Sequence, residues 1–169
     1  MLRGACLLSA VLAAGIGGAQ SRPDFSGTWT PLDASATAPA PPPLPPASRG
    51  TRPPPPPPPR TLSTTIVQSP TEMTMRRRVE TGGREAVYTF VYRLDGTESV
   101  NQMGAIVSKT TASWDGATLV LSSTFSADGK MMGSGRELYH LENGQLIVES
   151  TRETPAGKFK QRNVHEKKL

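Results

Sequence analysis

Four dipeptides place the strongest constraint on this chain: Asp95-Gly96, Asp115-Gly116, Asp128-Gly129 and Asn143-Gly144. Asp-Gly and Asn-Gly tolerate the positive φ of a two-residue type I′ turn, which returns the chain with the twist that paired strands need. Ser69-Pro70-Thr71, Gly82-Gly83 and Pro155-Ala156-Gly157 add three further breaks at similar intervals. The runs between them are rich in Thr, Val, Ile, Tyr and Phe and alternate apolar with polar residues. No window carries a helical period. The pattern predicts strands near 25–32, 62–68, 72–79, 86–94, 98–101, 105–114, 117–124, 131–140, 145–152 and 158–166. It excludes a helical bundle, a coiled coil and, at 169 residues, a multi-domain enzyme.

Ten short antiparallel strands in chain order leave two exposed edges unless the sheet closes on itself. The expected fold is therefore all-β: an up-and-down meander β-barrel of about ten strands, one domain over residues 23–169. A curled open sheet with one solvated face is the alternative.

Thirteen of the seventeen prolines fall between Pro39 and Pro59. Residues 34–60 therefore read as an insertion after the first strand, polyproline II or disordered, because proline can build neither helix nor central strand. The segment resembles ligands of aromatic-grooved domains, yet a stiff basic spacer has the same composition.

Residues 1–19 read as a signal peptide. Arg3 supplies the positive start, Ala5 to Ile16 is uncharged, and Gly17-Gly18-Ala19 suits cleavage before Gln20. The apolar run is shorter than the roughly 20 residues a membrane-spanning helix needs, so no transmembrane segment is expected. Cleavage removes Cys6, the one cysteine, and leaves no thiol or disulfide chemistry. The expected location is periplasmic or extracellular. The formal net charge of +5 loses Arg3 with the leader, and Arg49, Arg52 and Arg60 sit in the acid-free 34–60 segment. The folded part is close to balanced, which argues against a nucleic-acid partner.

Strand parity groups the candidate ligand-binding residues. Met73, Met75 and Arg77 share one face of their strand, and Tyr88, Phe90 and Tyr92 form an aromatic stripe on the next. If the methionines point inward, Arg77 follows them and must meet either a ligand anion or an internal acid such as Glu149 or Glu98. Both readings stay open, as does an ordinary packed core for the Met and aromatic stripes.

The mature chain opens with Asp24-Phe25-Ser26-Gly27-Thr28-Trp29, and Phe-x-Gly-x-Trp resembles the opening of the calycin superfamily, the lipocalins and fatty-acid-binding proteins. The order Ser113-Trp114-Asp115-Gly116, Thr118 to Leu121, Arg136-Glu137-Leu138 and Glu142 to Val148 is similar to the fatty-acid-binding branch, and the opening to small exported bacterial lipocalin-like proteins. The resemblance implies a calycin-like barrel whose closed end is plugged by Trp29 beside Gly27, with Arg162 covering the indole by cation–π stacking. Two departures stand out. The helical lid of the fatty-acid-binding proteins is replaced by 34–60, and their carboxylate-binding Arg-x-Tyr pair by Arg162-Asn163-Val164-His165, with Asn163 and His165 at the clamp positions.

No nucleophile elbow, phosphate loop or paired carboxylates are visible, and His140 and His165 lack companions for a metal. Haem-binding ten-stranded barrels carry a glycine-rich stretch after the tryptophan that Thr30-Pro31-Leu32 lacks. Each histidine is expected at a solvated position. Neither enzyme activity nor a cofactor is expected. The sequence points to an exported lipocalin-like protein holding a small apolar or amphipathic molecule, with Arg77, Met73, Met75, Tyr88, Phe90 and Tyr92 around it. The alternative is a structural or interaction module meeting an envelope partner through 34–60.

Overall fold

The computed structural model describes residues 22–32 and 59–169. The leader and almost all of the 34–60 segment lie outside the described residues. Ten strands follow in order: β1 Gly27–Pro31, β2 Arg60–Gln68, β3 Glu72–Thr81, β4 Arg84–Arg93, β5 Ser99–Met103, β6 Ile106–Asp115, β7 Thr118–Ala127, β8 Lys130–Glu142, β9 Gln145–Thr154 and β10 Gly157–Lys168. Each overlaps a strand predicted from the pattern.

The turns follow their chemistry with two exceptions. Gly82-Gly83, Asp128-Gly129 and Asn143-Gly144 take positive φ at both loop positions, as type I′ demands. Asp115 instead pairs with Thr118, so the loop is Gly116-Ala117 and only Gly116 has positive φ. Asp95-Gly96 belongs to the longer 94–98 connection, where the Asp95 carboxylate accepts hydrogen bonds from the Thr97 amide at 2.9 Å and hydroxyl at 2.6 Å.

Neighbouring strands are antiparallel in the order β4-β3-β2-β1-β10-β9-β8-β7-β6-β5. The first and last strands pair, Thr28 opposite Lys168 and Pro31 opposite His165, and wrap the sheet into a nearly closed barrel. The break falls between β4 and β5, where side chains replace the ladder. The Asn101 amide accepts from Val91 N at 2.7 Å and donates to Val91 O at 3.0 Å, and Ser99 Oγ accepts from Arg93 N at 2.8 Å. One carboxamide thus supplies the donor–acceptor pair that a strand residue would present.

The core gathers toward the end holding the 69–71, 94–98, 116–117 and 143–144 turns. Phe25, Trp29, Met73, Met75, Leu119 and Leu146 are 0–2% exposed there. Residues 22–26 cross this end. Phe25 stacks on Trp114 at 6.0 Å, and its carbonyl accepts from Trp29 Nε1 at 2.8 Å. The Gln68 side chain grips the segment, accepting from Phe25 N at 3.1 Å and donating to Pro23 O at 2.9 Å. The plug is therefore Phe25 and Trp29 together. The cation over Trp29 is Lys167, at 5.5 Å, in place of the expected Arg162. Register gives the reason: Lys167 lies opposite Trp29 and shares its face, while Arg162 is turned outward to Glu142 at 3.1 Å and Glu149 at 3.8 Å. A Cβ on Gly27, whose φ is +141°, would sit 2.5 Å from Lys167 Cε, so glycine is what lets the lysine stem cross to the indole.

Candidate functional site

Cross-strand register assembles the interior. Met73 lies opposite Tyr92, Met75 opposite Phe90 and Arg77 opposite Tyr88, so the six candidate residues share one inward face. On the far wall Leu121 lies opposite Glu137 and Leu119 opposite Tyr139. Arg77 reaches across the lumen to this wall, since β3 and β8 stand five places apart in the sheet order. Its Nη2 donates to Tyr139 Oη at 2.8 Å and to Glu137 Oε2 at 3.3 Å, and the Tyr139 hydroxyl donates to the same Oε2 at 2.5 Å. The internal acid is thus Glu137. Glu98 and Glu149, the acids expected from sequence, pair outside with Lys109 and Arg162.

Electrostatics keep the bridge ionised. Burial works against the Glu137 carboxylate, but Arg77, the Tyr139 hydrogen bond and Arg152 outweigh it and hold the carboxyl below its ordinary range. Burial also opposes the Arg77 guanidinium, and the Glu137 carboxylate, with its hydrogen bond, holds it firmly protonated. The Tyr139 hydroxyl is pushed up by burial and by Glu137 and stays neutral. His165 is 8% exposed and faces inward opposite Leu146, contrary to the solvated position expected from sequence. Burial, then the charge of Arg77, brings its imidazole down to about 4. His165 Nδ1 is sealed with no hydrogen-bond partner.

The six candidates divide by depth. Met73 and Met75 are fully buried and Tyr92 is 7% exposed, all within the packed floor. Tyr88, Phe90 and Arg77 keep accessible surface, with the Arg77 guanidinium 5.6 Å over the Phe90 ring. Arg77 and Glu137 are half-buried, with 29% and 25% of their side-chain surfaces accessible. Further toward the open end Phe125 lies across Gly135, where a Cβ would meet its ring at 3.0 Å, and the Arg152 guanidinium stacks on Phe125 at 5.1 Å.

Sequence reading missed Glu137, Tyr139 and Arg152. The signal lay in parity: Glu137 is two positions from Tyr139 and must share its face. Two open depressions of about 330 Å³ each lie near the β7–β8 and β9–β10 turns and on the outer wall of β8–β10, and neither includes a candidate residue. Among the described residues no three His, Cys, Asp or Glu converge to hold a metal ion, and no helix is long and apolar enough to cross a membrane. The chain matches no protein-family model and no curated protein sequence.

Proposed function

We propose that this protein is an exported, lipocalin-like carrier whose role is to bind a small apolar or amphipathic molecule inside its barrel. The observation that carries this reading is the inward-facing Arg77–Glu137 bridge with a quarter of its surface still accessible. A barrel filled for stability alone would seal such a pair, because an ion pair in a packed core contributes little over apolar side chains of the same volume. The reading is supported by the packed floor beneath the bridge and the Tyr88 and Phe90 rings beside it, a polar group among apolar side chains as in small-molecule pockets. Export rests on the leader-like residues 1–19, and the calycin-like character on the Phe-x-Gly-x-Trp opening.

Native mass spectrometry of the protein purified from its own envelope, with denaturing lipid extraction alongside, tests the reading. A stoichiometric small molecule is expected. A barrel that is empty and leaves an apolar fluorescent probe unbound would refute it, and would turn attention to an envelope partner meeting residues 34–60.

A further inference from the structure

The hydrogen-bonding capacity left on the bridge specifies what the chamber can recognise. Glu137 uses Oε2 for both the Tyr139 hydroxyl and Arg77 Nη2. Its Oε1 has no partner among the described residues. Arg77 commits Nη2 to Glu137 and Tyr139 and points Nε at Met75 Sδ, 3.2 Å away, which leaves both N–H groups of Nη1 without a partner among the described residues. Both side chains keep accessible surface, whereas His165 Nδ1 and Trp114 Nε1 are sealed. The bridge therefore keeps a donor on Arg77 and an acceptor on Glu137 uncommitted among the described residues, on two side chains whose charges cancel.

We propose that the head group bound at this bridge is uncharged and both donates and accepts hydrogen bonds, a hydroxyl or a carboxamide, and that carboxylates are disfavoured there. The proposal rests on the carrier reading above. A hydroxyl accepts from Arg77 Nη1 and donates to Glu137 Oε1, and a carboxamide does the same with its oxygen and nitrogen. A carboxylate also accepts from Nη1, but its second oxygen then confronts Glu137 Oε1 with no proton between them, and two carboxylates sharing one site repel. Tyr139 and His165, both neutral, add no cation to offset this. Lys167 is committed to the Trp29 ring at the sealed end, and Arg152 is exposed at the open end, where water screens its attraction.

The test is displacement of the neutral probe N-phenyl-1-naphthylamine by dodecanol, dodecanamide and dodecanoate at pH 7.5. The alcohol and the amide are expected to displace it at concentrations at least tenfold below the acid. Glu137→Gln leaves Arg77 unneutralised and is expected to narrow that ratio at least fivefold or invert it. The wild-type ratio stands alone should E137Q not fold. If the probe binds and dodecanoate displaces it as well as dodecanol does, the head-group assignment falls while the carrier reading stands. Loss of that dodecanoate binding in Arg152→Gln would move recognition to the mouth, and the assignment would fall equally. A ratio unmoved in folded E137Q also overturns the assignment. A probe that never binds overturns the carrier reading and the assignment together.

Discussion

Acid should unfold this protein through His165 before it reaches the carboxylates. An imidazole titrates near 6.5 in an unfolded chain, whereas His165 in the fold is held to about 4, by burial first and the Arg77 charge second. The folded state therefore binds fewer protons than the unfolded state between those two values. The stability tied to His165 is complete above pH 6.5 and is lost as pH falls toward 4. The full gap corresponds to about 3 kcal/mol, of which about 1 kcal/mol is gone at pH 5.5 and most by pH 4.5. Glu137 is held below the ordinary carboxyl range, so its contribution to acid unfolding begins at lower pH, and 7.5 against 5.5 isolates the histidine. Urea unfolding at the two pH values reads the difference, and His165→Gln should abolish most of it while His140 remains in place. NMR titration of the imidazole should place its midpoint near 4. Equal stability at pH 7.5 and 5.5, or the same loss in H165Q, would refute the reasoning.

Gly133→Ala is expected to cost about 3 kcal/mol in urea unfolding, because φ is +152° and the added Cβ would lie 2.2 Å from the Glu153 carbonyl oxygen. Gly135→Ala should cost about 1 kcal/mol, since its new neighbour at 3.0 Å is the Phe125 ring, which can shift. Asn101→Ala removes both bonds that hold β5 to Val91 and should lower stability by about 2 kcal/mol. Hydrogen exchange at the Val91 amide should quicken while β6–β9 amides hold. Phe25→Ala opens a cavity at the sealed end and should cost about 4 kcal/mol, measurable as a lowered Tm.

The fold was legible because turns and alternation are local. Asp128-Gly129 and Asn143-Gly144 state a hairpin within two residues, and Met73, Met75 and Arg77 state a shared face within five. The identity of the buried acid depends on which strand faces β3 across the lumen, a property of the closed sheet. Parity on each strand is available from the chain, but the pairing of Arg77 with Glu137 over a separation of 60 residues is not. Lys167 displaced Arg162 over Trp29 for a related reason. Parity turned Arg162 away from the face of Asn163 and His165, and that same parity, carried two positions further, places Lys167 beside the indole. The Asn101 seam carries no sequence signal, because an asparagine in a strand reads the same whether it meets water or a neighbouring backbone.

The pairing of β1 with β10 has a consequence for how the chain reaches its fold. β2–β4 and β5–β10 are two runs of hairpins, each able to form by contacts between near neighbours. Between them stand only the 94–98 connection and β1, five residues long, whose Thr30 sits opposite Glu166. Docking β1 closes a loop of well over a hundred residues, so most of the entropy of loop closure is concentrated in that single event. The two meanders should assemble quickly and then wait for the small strand to lie down between them. Until it does, the edges of β2 and β10 stand open to any other chain, so misassembly in this protein is expected to begin there.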